Sequence, residues 1–363
     1  PHSSCGSGPT RCALLQNRKR PTARSLLQQA PPLRIQTKTA PSARPSCARS
    51  YLIDSKSAMI QQHPVALPHG ITLHCRVSGV AGRPVLLFLH GFPEGAFIWD
   101  ELMTLLAGRF RCIAPNLRGY EGSFAPADVS AYKAPKILGD VAGLIQALGG
   151  KAHAVIAHDW GGALAWGLAA AAPQWLDKLI ILNAPHPAAF LKGLRDDPAQ
   201  QAASSYMNLL RRPEIETRLA ANDFAMMWTF FERFGDATWL TPALRDRYRQ
   251  AWSAPTAGTA DQPAASSALT GPVNYYRASP LHPPTSPSDA IHTLQLPEAV
   301  SRVNVPTRVI WGEADMALPP SLLDGLDAWV PDLRITRLPG LTHWLVHEDP
   351  DTVTRELETA LRN

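Results

Sequence analysis

Short, mainly apolar runs occupy residues 84–89, 111–117, 154–157, 178–182 and 307–311, and each stops abruptly at a polar or glycine-rich turn. Runs of this length without polar alternation read as strands buried on both faces. A different rhythm fills residues 134–148, where Ile137, Val141, Leu144, Ile145 and Leu148 fall on one helical face. Small residues at 163–172 predict a second helix, closed by Pro173, and residues 350–361 a C-terminal one. Residues 65–79 predict a strand pair turned at Pro68-His69-Gly70, with Ile71, Leu73, Cys75 and Val77 alternating. Residues 333–338 predict the last strand. Strand alternating with helix means a parallel sheet with helices on both faces, an α/β fold.

From about residue 187 to 300 this alternation stops. Residues 197–252 predict helices, with Trp228, Phe230, Phe231, Phe234 and Trp239 as a packing stripe. Residues 253–290 are rich in Pro, Ser, Ala and Thr and predict long loops. The expected division is therefore a core of residues 59–186 and 301–363, a helical lid at 187–300, and a tail at 1–58.

Charge changes the picture of that tail. The chain of 363 residues carries a formal net charge of +5. Residues 1–58 hold ten Lys or Arg and one acid, Asp54, so the rest is mildly acidic. The basic pI belongs to the tail, and a nucleic-acid surface is not expected on the globular part. The tail's composition predicts disorder. It reads either as a transit peptide or as upstream sequence joined ahead of a protein starting at Met59, and the second reading fits the onset of pattern better. Of five cysteines, Cys5, Cys12 and Cys47 lie in the tail. Cys75 and Cys112 sit in or beside apolar runs, which predicts buried free thiols and a cytoplasmic location rather than a disulfide framework or zinc site. No apolar segment is long enough to span a bilayer.

The chemistry gathers at the ends of the predicted strands. His158-Asp159-Trp160-Gly161-Gly162 follows one strand and opens a helix, with small Ala157 and Gly161 two positions either side of Asp159. A helix cap would explain an isolated Asp there. The spacing also matches a nucleophile elbow, with Asp in the nucleophile slot. Ligands of parallel sheets bind at the carboxyl ends of the strands, where His90, Asp159 and Asn183 all fall. His90-Gly91-Phe92-Pro93-Glu94 can aim a backbone N–H at the same place, and Phe92-Pro93 is a candidate cis bond. Asp315 and His343 each follow a late strand, in that order. Nucleophile, acid and His in that chain order match the triad of the α/β hydrolases.

These segments, with Arg118-Gly119-Tyr120 through Ser123 and Trp311-Gly312 through Asp315, resemble the soluble epoxide hydrolases of the α/β-hydrolase superfamily over roughly residues 63–362. The resemblance implies an α/β-hydrolase fold, with a mostly parallel central sheet, helices on both faces and an inserted helical lid domain. Asn274-Tyr275-Tyr276-Arg277 resembles the family's lid motif Asn-Trp-Tyr-Arg, with Tyr275 in the Trp slot. This implies that Tyr276, and with it Tyr206 elsewhere in the lid, holds the epoxide oxygen. Asn116 stands where the family often has Asp, and Glu121 where it often has Gly.

An Asp nucleophile suits displacement at saturated carbon. The expected reaction is hydrolysis of an epoxide to a vicinal diol, through an alkyl ester on Asp159. A phenol is a suitable proton donor to the alkoxide leaving group. Water activated by His343, oriented by Asp315, would cleave the ester. The N–H groups of Phe92 and Trp160 would hold the oxyanion, and His90 and Pro93 would contact the substrate, a lipophilic epoxide. No metal or cofactor is expected. Haloalkane or haloacid dehalogenation on the same scaffold is the nearest alternative. Trp160 could donate to halide, but Phe92 stands where haloalkane dehalogenases commonly have Asn, and Trp160 where fluoroacetate dehalogenases have Arg. A serine esterase is disfavoured because the elbow lacks Ser. A non-catalytic receptor for a small molecule is a further alternative.

Overall fold

The structure, a computed structural model, describes residues 59–362 apart from Asp236. The expectations for the tail and its three cysteines lie outside the described residues. Strands β1 (Gln61–Ala66) and β2 (Thr72–Ser78) form an antiparallel pair. After them come β3 (Val85–Leu89), helix α1 (Asp100–Leu106), β4 (Arg111–Pro115), α2 (Ala134–Ala147), β5 (Ala154–His158), α3 (Asp159–Ala171) and β6 (Leu179–Leu182). After an inserted segment the chain returns as β7 (Thr307–Gly312) and β8 (Leu333–Leu338). The eight strands make one sheet in the order β1-β2-β4-β3-β5-β6-β7-β8, parallel from β4 to β8.

Strands β5, β6 and β7 are buried at every residue, as expected where helices cover both faces of a parallel sheet. The two edges differ. β1 is almost wholly exposed and carries Pro64, which blunts an open edge. It starts four residues before the predicted strand pair, because an edge strand needs no apolar rhythm to announce it. β8 is only partly buried, with Arg334 and Arg337 exposed. Cys75 and Cys112 are free and buried, and burial pushes both thiols up to about 12.

Register positions the site. Leu89 pairs with Ala157, His158 with Leu182, and Leu182 with Ile310. The residues just past β3, β5, β6 and β7 therefore emerge along one edge of the sheet.

Between β6 and β7 run six helices among the described residues: α4 (Pro187–Asp196), α5 (Pro198–Ala203), α6 (Ser205–Leu210), α7 (Ile215–Arg233), α8 (Pro242–Trp252) and α9 (Thr270–Ala278). Two features depart from the sequence pattern. Helix α7 breaks at Asn222, Asp223 and Phe224, with φ of 51°, 56° and 60°. Asn and Asp tolerate left-handed backbone better than other side chains, so the turn falls where they stand. Arg249 of α8 brackets the Asp223 carboxylate at 2.7–3.0 Å. Helix α9, which the sequence pattern did not single out, stands among the long loops expected at 253–290. Its Gly271 and Pro272 sit in the first turn, where a missing N–H costs nothing. The chain ends in α10 (Leu345–Glu348) and α11 (Pro350–Arg362).

Candidate active site

Asp159 stands where β5 ends and α3 begins, with φ of 49°. Strand and helix approach so closely there that only glycine fits beside it. A Cβ on Gly161 would lie 2.3 Å from the Leu89 carbonyl oxygen, and one on Gly91 would lie 2.2 Å from Asp159 Oδ1. The Phe92 N–H donates to Asp159 Oδ1 at 2.7 Å, and the Phe92-Pro93 bond is cis. Oδ2 is left facing His343 Nε2 at 3.7 Å, too far for a hydrogen bond. Burial raises the Asp159 carboxyl, but His343, the charge of His158 and the Phe92 N–H outweigh it and hold the group below the usual carboxylate range.

His343 follows β8, and its Nδ1 lies 2.7 Å from Asp315 Oδ2. Asp315 follows β7 and is fully engaged. Its Oδ1 accepts from the N–H groups of Ala317 and Leu318 at 2.8 and 2.9 Å, and its Oδ2 also accepts from Asn183 Nδ2 at 2.7 Å. An acceptor with no spare proton fixes His343 Nδ1 as the donor and leaves Nε2 facing Asp159. Burial lowers the imidazole, yet Asp315 and Asp159 together overcome this and raise it to about 10. Asn183 is itself anchored to the Gly312 backbone at 2.7 and 3.1 Å. Its place at a strand end was visible in the sequence; its hold on Asp315 was not.

Tyr206 on α6 and Tyr276 on α9 line both cavities that open on Asp159. Their ring centroids are 6.1 Å apart, and Tyr276 packs edge-on against Phe92 at 5.2 Å and Trp160 at 5.1 Å. Burial, with the charge of Asp159 added, keeps both phenols well above their usual range, so both stay protonated. Two arginines tie the helices together. Arg211, just past α6, donates to the carbonyls of Tyr276 and Ser279 at 2.6 and 2.9 Å. Arg277 of α9 reaches back to the Arg212 carbonyl at 2.8 Å and pairs with Glu216 at 2.6 and 2.8 Å.

Of the remaining expected residues, Pro93 lines the smaller cavity and Trp160 the larger. The Trp160 N–H lies in the first turn of α3, where no carbonyl four residues back is available to it. His90 is a correction: it does not face substrate. It is fully buried, its Nε2 accepts from the Leu117 N–H at 3.1 Å, and its Nδ1 therefore donates to the Gly91 carbonyl at 3.0 Å. Burial lowers it to about 4, so it is a neutral brace for the loop carrying Phe92.

Sequence reasoning missed a buried network beneath the elbow. Glu94 accepts from Tyr248 at 2.9 Å and lies 2.8 Å from His347 Nε2 and 3.2 Å from His158 Nδ1. His158 Nε2 meets the His343 carbonyl at 2.9 Å. Burial would raise Glu94, but the two histidines more than offset it and keep it ionised. Glu94 stood in a motif already singled out; its partners, far apart in the chain, gave no local signal. The substituted motif positions are also accounted for. The Tyr275 hydroxyl donates to the Arg118 carbonyl at 3.0 Å, Asn116 bridges Ala96 and Glu121 backbone at 2.8 and 2.9 Å, and the Glu121 carboxylate meets Arg247 of α8 at 3.0 Å.

The family model for the alpha/beta hydrolase fold matches residues 84–350. The chain is 32% identical to the AB hydrolase superfamily protein YfhM of Bacillus subtilis, over 81% of this chain and 96% of that one. It is 30% identical to Epoxide hydrolase 4 of Mus musculus, over 78% of this chain and 74% of that one. A solved structure of novel epoxide hydrolases from metagenomes of hot environments superposes with a TM-score of 0.73 at 37% identity, covering 84% of this chain and 99% of that one.

Proposed function

The chain belongs to the α/β-hydrolase family and is like its epoxide hydrolases, and from that premise we propose that it hydrolyses a lipophilic epoxide to a vicinal diol through an ester on Asp159. The observation that carries this reading is a carboxylate with one oxygen pinned and one free, opening on cavities that two protonated phenols also line.

Asp159 Oδ2 attacks an epoxide carbon and the C–O bond breaks. The departing oxygen takes a proton from Tyr276 or Tyr206, which is necessary because a free alkoxide is a poor leaving group. Oδ1, bonded to the Phe92 N–H, becomes the ester carbonyl oxygen. Esterification also removes the charge of Asp159. That charge is one of the influences raising His343, so its loss lets the imidazolium give up its proton. The proton released balances the one the phenol lost. His343 Nε2, now neutral, takes a proton from water, and the hydroxide attacks the ester carbon. The Phe92 and Trp160 N–H groups meet the oxyanion, and a donor of this kind is worth ~10²–10³ in rate. Collapse expels the diol, protonated by His343.

In this reading residues 187–300 act as the lid, and Pro93 contacts the epoxide ring of the substrate from the smaller cavity. Among the described residues no helix is long and apolar enough to cross a membrane. The free buried thiols Cys75 and Cys112 support a reducing compartment, the cytoplasm. The test is consumption of an epoxide and of a chloroalkane of equal length, by the unaltered enzyme and by Tyr276→Phe. We expect the epoxide alone to be consumed, and the variant to open it ~10²–10⁴ more slowly. Consumption of the chloroalkane alone, undiminished in the variant, would overturn the reading.

A further inference from the structure

The two cavities that meet at Asp159, Tyr206 and Tyr276 are unequal in size and in kind. The smaller measures about 10 Å³ and is walled by Phe92, Phe230, Phe234, Ala317, His343 and Trp344. On this measure a single water needs ~10–15 Å³, so the space accepts about one water-sized group. Its wall is an interlocked aromatic set: Phe92 meets Phe230 at 5.4 Å, and Tyr206 meets Phe234 at 5.1 Å. The Phe and Trp side chains of that wall are all buried. The wall cannot retreat without disturbing several ring contacts at once.

The larger cavity measures about 70 Å³, room for roughly five to seven such groups. Ala163, Met207 and Leu318 line it, and its rim at Pro187, Phe190 and Leu281 is half-exposed. Met is the most adaptable of apolar side chains, so this wall can adjust to different shapes. The larger cavity is thus both the way in and the place for an apolar substituent.

Chemistry sharpens the asymmetry. His343 lines only the smaller cavity, and Asp159 lines both. Water for ester cleavage must lie between those two side chains, and the smaller cavity holds about one such molecule. A substituent placed there would displace it. We propose that this enzyme selects epoxides substituted on one carbon only, seating the apolar substituent on the Met207 and Leu318 side and keeping the Phe230 and Phe234 side for water. The proposal rests on the epoxide reading above and adds the shape of its substrate.

Two isomers with the same carbon count separate shape from hydrophobicity: 1,2-epoxyoctane, substituted at one carbon, and trans-4,5-epoxyoctane, with equal arms. For the unaltered enzyme we expect kcat/KM to favour the terminal isomer by at least about tenfold, since even one misplaced methylene is worth ~10–200-fold. Phe234→Ala enlarges the smaller cavity and should shrink that ratio severalfold. Phe234→Leu, a milder truncation that safeguards folding, should move it the same way by less. Equal kcat/KM for both isomers would overturn the proposal. A preference that neither Phe234 variant alters would overturn its assignment to this cavity. Failure on both isomers with consumption of 1-chlorooctane would instead overturn the epoxide reading itself.

Discussion

On the sheet side of the site, Asp159 and Asn183 each stand one residue past a strand, and Asp315 stands three past another. The parallel ladder that aligns those strand ends aligns the side chains too. On the lid side, Tyr206 and Tyr276 ride on helices of six and nine residues. Those helices are held to each other by Arg211 and Arg277, and α8 is held to the core by Glu121 and Arg247. A ladder is many bonds that form together. Each side-chain bond contributes only ~0.5–3 kcal/mol and can be lost alone. On the proposed mechanism, the comparison teaches that attack would be set by the fold, whereas proton delivery and substrate shape would be set by a few replaceable contacts.

The largest effect should come from the sheet side. Asp159→Asn keeps a residue that tolerates the left-handed turn but removes the proposed nucleophile. We expect epoxide turnover to fall by ~10⁴ or more while the protein remains folded, as its circular dichroism spectrum would show. Residual turnover within tenfold of the unaltered enzyme would mean that the sheet side does not supply the attacking group.

Arg211→Met sharpens the comparison from the lid side. It removes neither phenol but frees the carbonyls of Tyr276 and Ser279 from their shared donor, so Tyr276 can shift. Misplacing reacting groups by about 1 Å can cost ~10² in rate. We expect single-turnover ester formation to slow by roughly tenfold, ester hydrolysis to stay the same, and Arg211→Lys to restore part of the loss. A merely structural role would slow both steps together or neither.

A smaller effect concerns stability. His343 is raised in the folded state to about 10 from an ordinary value of 6.5. Its contribution is fully present below about 6.5 and is lost as pH rises through about 10. The unaltered enzyme should therefore lose more stability between pH 7 and pH 10 than His343→Gln does, read from urea midpoints. Equal losses would show that His343 is not held charged beside Asp159 and Asp315.

Much of the sheet side was legible in the sequence. A buried strand must end abruptly, and the elbow demands small residues at fixed distances from Asp159. Asp315 and His343 followed later strands in the required order. His90 misled because a strand-end residue can point back into the core as readily as toward a ligand. The Glu94 network stayed hidden because Tyr248 and His347 lie 154 and 253 positions away. The lid was legible in outline only. Proline- and serine-rich flanks masked α9, although its Asn274 to Arg277 motif was visible. The ties from Arg211 to Tyr276 and Ser279 and from Arg277 to Arg212 end on backbone carbonyls, and a carbonyl leaves no mark in a sequence.

The central claim is that Asp159 becomes an ester, and His343→Gln tests it most directly. Removing the base should leave ring opening intact and stall the second step. After incubation with 1,2-epoxyoctane, mass spectrometry of the peptide bearing Asp159 should show it heavier by the mass of one epoxide, at near-stoichiometric occupancy. An unmodified Asp159 in a variant that still makes diol, or the adduct on another residue, would contradict the account.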